Sequence, residues 1–201
     1  MVRVAYSPAP TPAYRRVMIF IDGGYLRKGF ERIYRHNEIN FPGLFVLLKK
    51  LGFEEKRHPE VIRAYYYDSI VDPSDDLNLY EKQKEYFSII QKHAVYDVKL
   101  ARLKKIDTTK KRRKQKGVDV MLAVDMITKA FMNHYDIAIL LAGDDDFLDV
   151  VKAVKDLTDK RVYGAFFPDQ VSEDLLNSFD KKDALTKEVL DSYKIAIGTK
   201  T

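Results

Sequence analysis

The sequence predicts an α/β protein with three α/β/α layers, in which a mostly parallel central sheet carries helices on both faces. The first observation behind this prediction is that strand-like and helix-like segments alternate about five times along the chain, as they do in series of βαβ units. The second is that two strand-like segments, VMIFI and IAILLA, are apolar without interruption. Such strands are buried on both faces, which is typical of parallel sheets.

The first half of the chain contains two predicted strands and three predicted helices. The run RVMIFIDGG indicates a buried strand that ends in a tight turn. Residues 25–37 and 43–51 then have helical spacing. The segment VIRAYYYDS is rich in β-branched and aromatic residues and predicts the second strand. Pro73 opens a loop, after which LNLYEKQKEYFSIIQKH again has its apolar residues at helical spacing.

The second half continues this alternation. The segment YDVKLARL alternates between apolar and polar residues, which predicts a strand at or near the edge of the sheet. A basic loop follows, and then the strongly periodic helix GVDVMLAVDMITKAFMNH and the strand DIAILLAG. The helix DDDFLDVVKAVKDL, the strand RVYGAFFP and the short helix SEDLLNSF complete the pattern.

The predicted elements divide the chain into three parts. Residues 1–14 contain Pro8, Pro10 and Pro12 and indicate a flexible lead-in. Residues 15–180 form the predicted α/β domain, and residues 181–201 are predicted to be a C-terminal helical extension.

The composition excludes several classes of protein. Apolar residues make up 46% of the chain and charged residues 32%, which indicates a folded globular protein. The absence of cysteine excludes disulfides, thiolate zinc sites and cysteine nucleophiles. We find no apolar run long enough to span a membrane, no signal-peptide core at the N-terminus, and no P-loop, GxGxxG motif or nucleophile elbow. We therefore expect a cytoplasmic protein with no membrane partner.

The positive charge of the chain is concentrated in one segment. Residues 104–116 hold eight basic residues and one acid, whereas the net charge of the whole chain is +5. The remainder of the chain therefore carries a charge of −2. This distribution favours a localised contact with a polyanion over a generally sticky surface, and the alternative is a solvated or disordered loop or a localisation-like patch.

Aspartates stand where the predicted strands end. Asp22 closes the first strand, and Asp144, Asp145 and Asp146 follow the strand DIAILLAG directly. Two carboxylates about 4 Å apart repel each other by about 4 kcal/mol at an effective dielectric constant of 20. A helix N-terminus, exposure to water or a divalent cation can offset this repulsion. Because parallel strands end at the same edge of a sheet, Asp22 and Asp144 can converge there.

Two further acids lie on the helix that follows the basic run. Asp119 stands in its first turn and reaches the same crevice if the crossover is right-handed. Asp125 points about 120° away from Asp119 and ranks below the other acids as a metal ligand. Each acid taken alone is equally well explained as a helix cap or a turn residue. Taken together, oxygen ligands at one crevice suit Mg²⁺ or Mn²⁺.

The ordered motifs resemble the NYN-domain family, a branch of the PIN-like nuclease superfamily that includes LabA-like proteins. The resemblance rests on VMIFIDGGYL, KGVDVMLAVDMI and ILLAGDDDF, with support from YYYD and SEDLLNSFD, and covers most of residues 15–180. It implies a PIN-like sheet and a ribonuclease that depends on Mg²⁺ or Mn²⁺ and cleaves endonucleolytically. The acids that match the metal ligands of the family are Asp22, Asp119, Asp144 and Asp146.

The resemblance also implies a partner for the basic segment at residues 104–116. Single-stranded RNA is the expected partner, with DNA as an alternative, and its phosphates would contact Lys110, Lys111, Arg112, Arg113, Lys114 and Lys116 with little reading of sequence. Lys116, next to the helix that carries Asp119, is a candidate contact to the scissile phosphate.

One position departs from the family pattern. The family usually has an asparagine at the position of Tyr25. Tyr25 could stack on a base, but the departure also leaves open a catalytically weak or inactive module that binds RNA or DNA. Other metal-dependent α/β enzymes fit poorly, since a dehalogenase-like enzyme needs Asp-x-Asp where this chain has Asp22-Gly23-Gly24. A role as an interaction protein and a homo-oligomeric state also stay open.

Overall fold

The computed structural model of the chain describes residues 14–54, 58–105, 113–114 and 117–197, with backbone alone at 103–105 and 113–114. The predicted lead-in at residues 1–14 lies outside this range except for Tyr14. None of the helices within the described ranges is long and apolar enough to cross a membrane.

One sheet of seven strands runs through the described part of the chain. The strands are β1 (Tyr14–Asp22), β2 (His58–Val71), β3 (Tyr96–Lys105), β4 (Arg113–Lys114), β5 (Ile137–Leu141), β6 (Arg161–Phe166) and β7 (Lys181–Ala184). Their order across the sheet is β4-β3-β2-β1-β5-β6-β7. All neighbouring pairs are parallel except the short β4, which pairs antiparallel with the end of β3. The predicted mostly parallel sheet is confirmed.

Helices cover both faces of this sheet, which confirms the three predicted layers. The helices are α1 (Gly23–Tyr34), α2 (Phe41–Leu51), α3 (Leu77–Gln91), α4 (Val118–Phe131), α5 (Leu148–Thr158), α6 (Glu173–Ser178) and α7 (Lys187–Ser192). Helices α1, α2, α3 and α7 contribute to one apolar cluster, and α4, α5 and α6 contribute to the other. Strand β1 serves both, because Val17, Ile19 and Ile21 face the first cluster and Met18 and Phe20 the second.

Side-chain caps fix where most of these helices begin. Asp22 accepts the backbone N–H of Tyr25 at the start of α1, and Asn40, Asp76, Ser172 and Thr186 cap α2, α3, α6 and α7 in the same way. Such caps satisfy backbone donors that have no partner inside the helix. Helix α4 has no side-chain cap, and the residue before it is Gly117, whose φ of 108° suits a glycine.

The C-terminal segment differs from what the sequence predicts. Residues 181–184 form strand β7, which pairs with β6 and extends the sheet, and helix α7 follows. The segment Lys181-Lys182-Asp183-Ala184 has no β-branched or aromatic residue, so it lacks the usual signal of a strand. The divisions that we place after residues 14 and 180 stay predictions. Within the predicted basic loop, Arg113 and Lys114 form the short strand β4.

The order of the strands creates a crevice beside β1. The chain places β2 and β3 on one side of β1 and then returns to place β5, β6 and β7 on the other side. At such a reversal the flanking connections lie on opposite faces of the sheet, and ligands bind beyond the carboxyl ends of the two strands. Asp22 is the last residue of β1, and Asp144 lies three residues beyond the end of β5.

The fold yields a prediction about stability. Leu140 is fully buried in β5, and we expect Leu140→Ala to lower the free energy of unfolding by about 2–5 kcal/mol because it leaves a cavity in the packed core. Urea denaturation measures this loss. The matched control is Val124→Ala on α4, where Val124 is 55% exposed and the change is expected to stay within about 0.5 kcal/mol. Equal losses in the two variants would contradict the assigned core.

Candidate active site

An open cleft of about 470 Å³ lies at the crevice between β1 and β5. Its walls come from the start of α1, the first turn of α4, the segment after β5 and the turn after β6. The lining residues are Asp22, Gly24, Tyr25, Lys28, Asp119, Gly143, Asp144 and Gln170.

Asp22 is the most firmly placed acid of this cleft. Its Oδ1 accepts the backbone N–H of Tyr25 at 3.0 Å, so one oxygen is engaged as the cap of α1. Burial raises the pKa of the Asp22 carboxyl, the hydrogen bond from Tyr25 opposes that rise, and the nearby charge of Asp119 adds to it. The anionic form of Asp22 is therefore costly without additional positive charge.

An ion pair between the buried Asp68 and the partly exposed Arg27 joins α1 to β2 behind Asp22. Asp68 is fully buried on β2 and pairs with Arg27 of α1. The Asp68 carboxylate also accepts the N–H of Ser69 at 2.7 Å and the hydroxyl of Tyr66 at 3.2 Å. A Cβ on Gly23 would come within 2.5 Å of the Tyr66 ring and 2.6 Å of Asp68. Glycine at position 23 therefore allows α1 to approach β2 and brings Asp22 to the cleft.

Asp119 and Asp144 face Asp22 from two other elements. Asp119 is half-buried in the first turn of α4, and burial, followed by the charges of Asp144 and Asp146, raises its pKa. Asp144 is exposed and accepts the N–H of Asp146 at 3.3 Å. Asp146 is exposed outside the cleft lining but close enough for its charge to act on Asp119. The predicted capping role of Asp144 is thus present beside its position in the cleft.

The carboxylates suit a hard cation but do not form a preformed cage. Among the described residues, no three acidic or histidine side chains are grouped as metal ligands. The chemistry of the donors nevertheless fits Mg²⁺ or Mn²⁺, because Asp22, Asp119 and Asp144 offer oxygen alone. Burial raises the pKa values of Asp22 and Asp119, and neighbouring carboxylates add to the rise, so a bound cation would stabilise their anionic forms. Since Asp144 is exposed, its side chain has room to turn toward an ion.

Lys28 is a cleft residue that the sequence analysis missed. It is exposed in the cleft wall, and its charge lowers the pKa values of both Asp22 and Asp119 against the dominant effect of burial. The helical spacing of Gly24, Tyr25 and Lys28 places them on one face of α1. This spacing would have identified Lys28 once Asp22 was known to begin the helix.

Tyr25 serves as part of the cleft wall. Its hydroxyl accepts the backbone N–H of Phe167 at 2.9 Å, and its ring lies 5.5 Å from the Phe167 ring. Burial raises the pKa of Tyr25 to about 12, so the side chain is neutral at physiological pH. The predicted stacking of Tyr25 on a base stays a prediction.

Gly143 allows the segment after β5 to pass close to the turn after β6. A Cβ on Gly143 would lie 2.0 Å from the carbonyl oxygen of Gln170 and 2.4 Å from the Tyr25 ring. The carbonyl of Gly143 also accepts the N–H of Ser172 at 3.0 Å, and Asp145 accepts the Ser172 hydroxyl at 2.9 Å. These contacts fix the backbone on both sides of Asp144.

The structure places Asp125 in a different cluster. Its carboxylate accepts the Tyr67 hydroxyl at 2.8 Å and lies 3.0 Å from the Lys129 ammonium and 3.7 Å from that of Lys99. Burial acts to raise the pKa of Asp125, but the hydrogen bonds from Tyr67 and Lys129 outweigh it and leave the pKa below its usual value. Asp125 is not among the residues that line the cleft.

The basic residues predicted to bind nucleic acid fall mostly outside the described residues. Lys110, Lys111, Arg112 and Lys116 lie outside them, and Arg113 and Lys114 are described by their backbone in β4. Their contact with nucleic acid stays a prediction.

Comparisons with known proteins match the domain and its fold. The model of the NYN domain matches residues 16–183. A crystal structure of a protein of unknown function from Vibrio parahaemolyticus is similar, with a TM-score of 0.66 and 20% sequence identity over 90% of this chain and 98% of that chain. At this identity the likeness shows the fold alone. No curated protein matches the chain.

The environment of Asp125 yields a prediction about pH. Because its folded pKa is lowered, the Asp125 carboxylate contributes stability above the ordinary carboxyl pKa, and this stability is lost as the pH falls through the lowered value. We expect Asp125→Asn to lower the free energy of unfolding at pH 7 by about 1 kcal/mol or more, because it weakens hydrogen bonds to a charged group. Urea denaturation across pH should show the difference closing in acid. Asp149→Asn, at an exposed residue of α5, is the control and should change little.

Proposed function

The chain belongs to the NYN-domain family, and on that premise we propose that it is a ribonuclease that hydrolyses RNA with Mg²⁺ or Mn²⁺. Proteins of this family are generally nucleases with a PIN-like fold. The observation that carries the proposal for this chain is that carboxylates from three separate elements, Asp22, Asp119 and Asp144, line one cleft. Their mutual repulsion is difficult to explain by capping alone, because Asp119 makes no cap at the start of α4.

The cleft residues have distinct parts in the proposed reaction. Asp22, Asp119 and Asp144 would hold the ion, with Asp146 at the rim as a further ligand. When bound, the ion supplies an activated water and relieves the negative charge at the phosphate. Asp22 acts as the fixed ligand because the N–H of Tyr25 and the ion pair behind it leave it little freedom. The exposed Asp144 supplies the adjustable ligand.

Lys28 is the proposed contact to the phosphate inside the cleft. A lysine ammonium is a compact point charge with rotatable donors, which suits a phosphate oxygen that moves during reaction. Lys28 reaches the same space as the three carboxylates. The basic run, Lys110 to Lys114 with Lys116, would hold the strand outside the cleft through its phosphates.

A second candidate function follows from Tyr25. The family pattern has asparagine at the position of Tyr25. The asparagine carboxamide is therefore missing from the cleft, and Tyr25, whose hydroxyl accepts the N–H of Phe167, takes its place. A module that binds RNA or DNA but cleaves weakly or not at all fits this observation. DNA as a substrate, the cytoplasm as the location and a homo-oligomeric state stay predictions from the sequence.

The central test is cleavage of labelled single-stranded RNA. We expect wild-type protein to cleave it with Mn²⁺ or Mg²⁺ and not with EDTA. Asp144→Asn should lower the rate by more than about 100-fold, since even indirect partners of a metal ligand contribute 10- to 100-fold. Saturating Mn²⁺ should also raise the melting temperature of the wild-type protein, because an ion that binds only the folded state stabilises it.

Two control variants sharpen this test. Asp149→Asn removes the same charge from an exposed position of the neighbouring helix, and Asp125→Asn removes it from the Tyr67 cluster. Both should cleave at close to the wild-type rate. Cleavage that survives Asp144→Asn would contradict the proposed site, and RNA binding without cleavage in the wild type would favour the binding module.

A separate prediction concerns Lys28. We expect Lys28→Gln to weaken RNA binding and to reduce the slope of log affinity against log salt by about 0.7, the contribution of one phosphate contact to a single strand. Fluorescence anisotropy at several salt concentrations measures this slope. Lys92→Gln, at an exposed residue beyond the C-terminus of α3, is the charge-matched control. The same slope in both variants would contradict the proposed contact between Lys28 and a phosphate.

A further inference from the structure

A second groove, which we call the Tyr80 groove, opens near the same edge of the sheet. It has a volume of about 400 Å³ and lies between the ends of β2 and β3 and the start of α3. Its lining residues are Ile70, Val71, Asp72, Pro73, Tyr80, Leu100 and Arg102.

The strand register relates this groove to the cleft. Asp22, the last residue of β1, is level with Tyr67 of β2, and β2 continues for four more residues to Val71. At about 3.3 Å per residue, β2 therefore extends about 13 Å beyond β1 at the carboxyl edge. Strand β3 follows it there, with Arg102 level with Ile70. A chain of a few nucleotides that lies in the cleft can reach the groove along this edge.

The surfaces of the groove suit a flat aromatic ligand. Ile70, Leu100 and Pro73 give apolar walls, and the Tyr80 ring is half-exposed among them. The Lys84 ammonium lies 5.9 Å from the centre of that ring. The Asp72 carboxylate accepts hydrogen bonds from the N–H and the hydroxyl of Ser74, at 3.0 and 2.7 Å. The groove thus combines an aromatic face and apolar walls with Lys84 at its margin, where Glu81 lies 3.8 Å from the Lys84 ammonium.

One cation, Arg102, and one acid, Asp72, line the groove, and Arg102 supplies a contact for a phosphate. Arg102 is exposed at the groove, and the basic residues 104–116 begin two positions after it in the chain. Positive charge along a backbone path beside a stacking surface is how proteins bind single-stranded nucleic acid. A guanidinium can also stack on a base or contact a phosphate in bidentate fashion.

We propose that the Tyr80 groove binds one nucleobase of a single-stranded RNA whose phosphodiester bond lies in the Asp22 cleft. This inference rests on the proposed function and adds a subsite to it. Tyr80 stacks on the base, the apolar walls exclude water from its edges, and Arg102 holds an adjoining phosphate. The subsite determines which phosphodiester bond of the RNA is cleaved, because the distance between the bound base and the bond in the cleft is fixed.

The test uses binding of fluorescein-labelled RNA of about ten nucleotides, measured by anisotropy in EDTA so that the strand remains intact. A set of probes carries one abasic nucleotide at each position in turn. For wild-type protein we expect one position to weaken binding by about fivefold or more when its base is missing, as loss of a stacked base does. Tyr80→Ala should bind the intact probe equally weakly and show no further loss at that position.

Two matched variants control for folding and for general loss of aromatic surface. Tyr80→Phe keeps the ring and should restore wild-type binding. Tyr14→Ala removes a tyrosine that is 48% exposed at the opposite end of β1, and it should leave every probe unchanged. Arg102→Ala should weaken binding and lower its dependence on salt, whereas Arg63→Ala, at an exposed position near the start of β2, should not.

The outcomes separate this inference from the proposed function. If Tyr80→Ala keeps the same single sensitive position as the wild type, or if no position is sensitive, the subsite is wrong even when the wild type cleaves RNA. If Tyr80 and one base are coupled as expected but no metal-dependent cleavage occurs, the subsite stands and the ribonuclease proposal fails. Absence of RNA binding by the wild-type protein would contradict the subsite directly.

Discussion

The need to bury β1 on both faces determines most of this structure. Its consecutive side chains enter two different apolar clusters, so helices must cover the sheet on either side. When a parallel sheet is extended in both directions from such a strand, the strand order reverses there. The connections on its two sides then lie on opposite faces of the sheet, and a crevice opens between them at the carboxyl end of the strand. The cleft beside Asp22 is therefore a product of topology, and the side chains that line it stand at strand ends and in the first turns of the adjoining helices.

An ion pair with one buried partner helps to position the cleft. Asp68 has no exposed surface, and its pairing with Arg27 joins the first helix to the second strand immediately behind Asp22. An isolated buried charge is strongly unfavourable, and removal of one partner of such a pair typically costs about 3–5 kcal/mol. Tyr66 and Ser69 support the pair, because each donates one further hydrogen bond to a carboxylate oxygen that Arg27 also contacts. The same contacts that stabilise the sheet thus hold one acid of the cleft in place.

The sequence predicted those features that follow from strand ends and failed where a side chain depends on its neighbours. Asp22, Asp119 and Asp144 could be placed together because parallel topology fixes where strands end and helices start. Asp125 could not be placed, since a helical angle gives a direction but does not reveal that Tyr67 and Lys129 meet it there.

Other features left little or no trace in the sequence. The only signal for Lys28 is its helical spacing from Tyr25, which is informative once Asp22 is known to begin the helix, and β7 is polar because an edge strand has few buried positions. The Tyr80 groove arises because β2 and β3 extend beyond β1 at the carboxyl edge of the sheet. How far they extend depends on the strand register, which no local sequence pattern encodes.

The contacts around Gly143 have a consequence for the order in which the protein is made. The carbonyl of Gly143 is bonded to Ser172, and Gln170 lies against the same backbone, so residues near Asp144 are held by a segment more than 25 positions later. A ribosome-bound chain that ends before residue 166 already contains the three cleft aspartates but has neither the Phe167 N–H that holds Tyr25 nor the turn that holds Gly143. Non-local contacts of this kind form late in folding. A nascent or truncated chain therefore carries the acids without these contacts, and the mature arrangement arises only once the segment that follows β6 has been added.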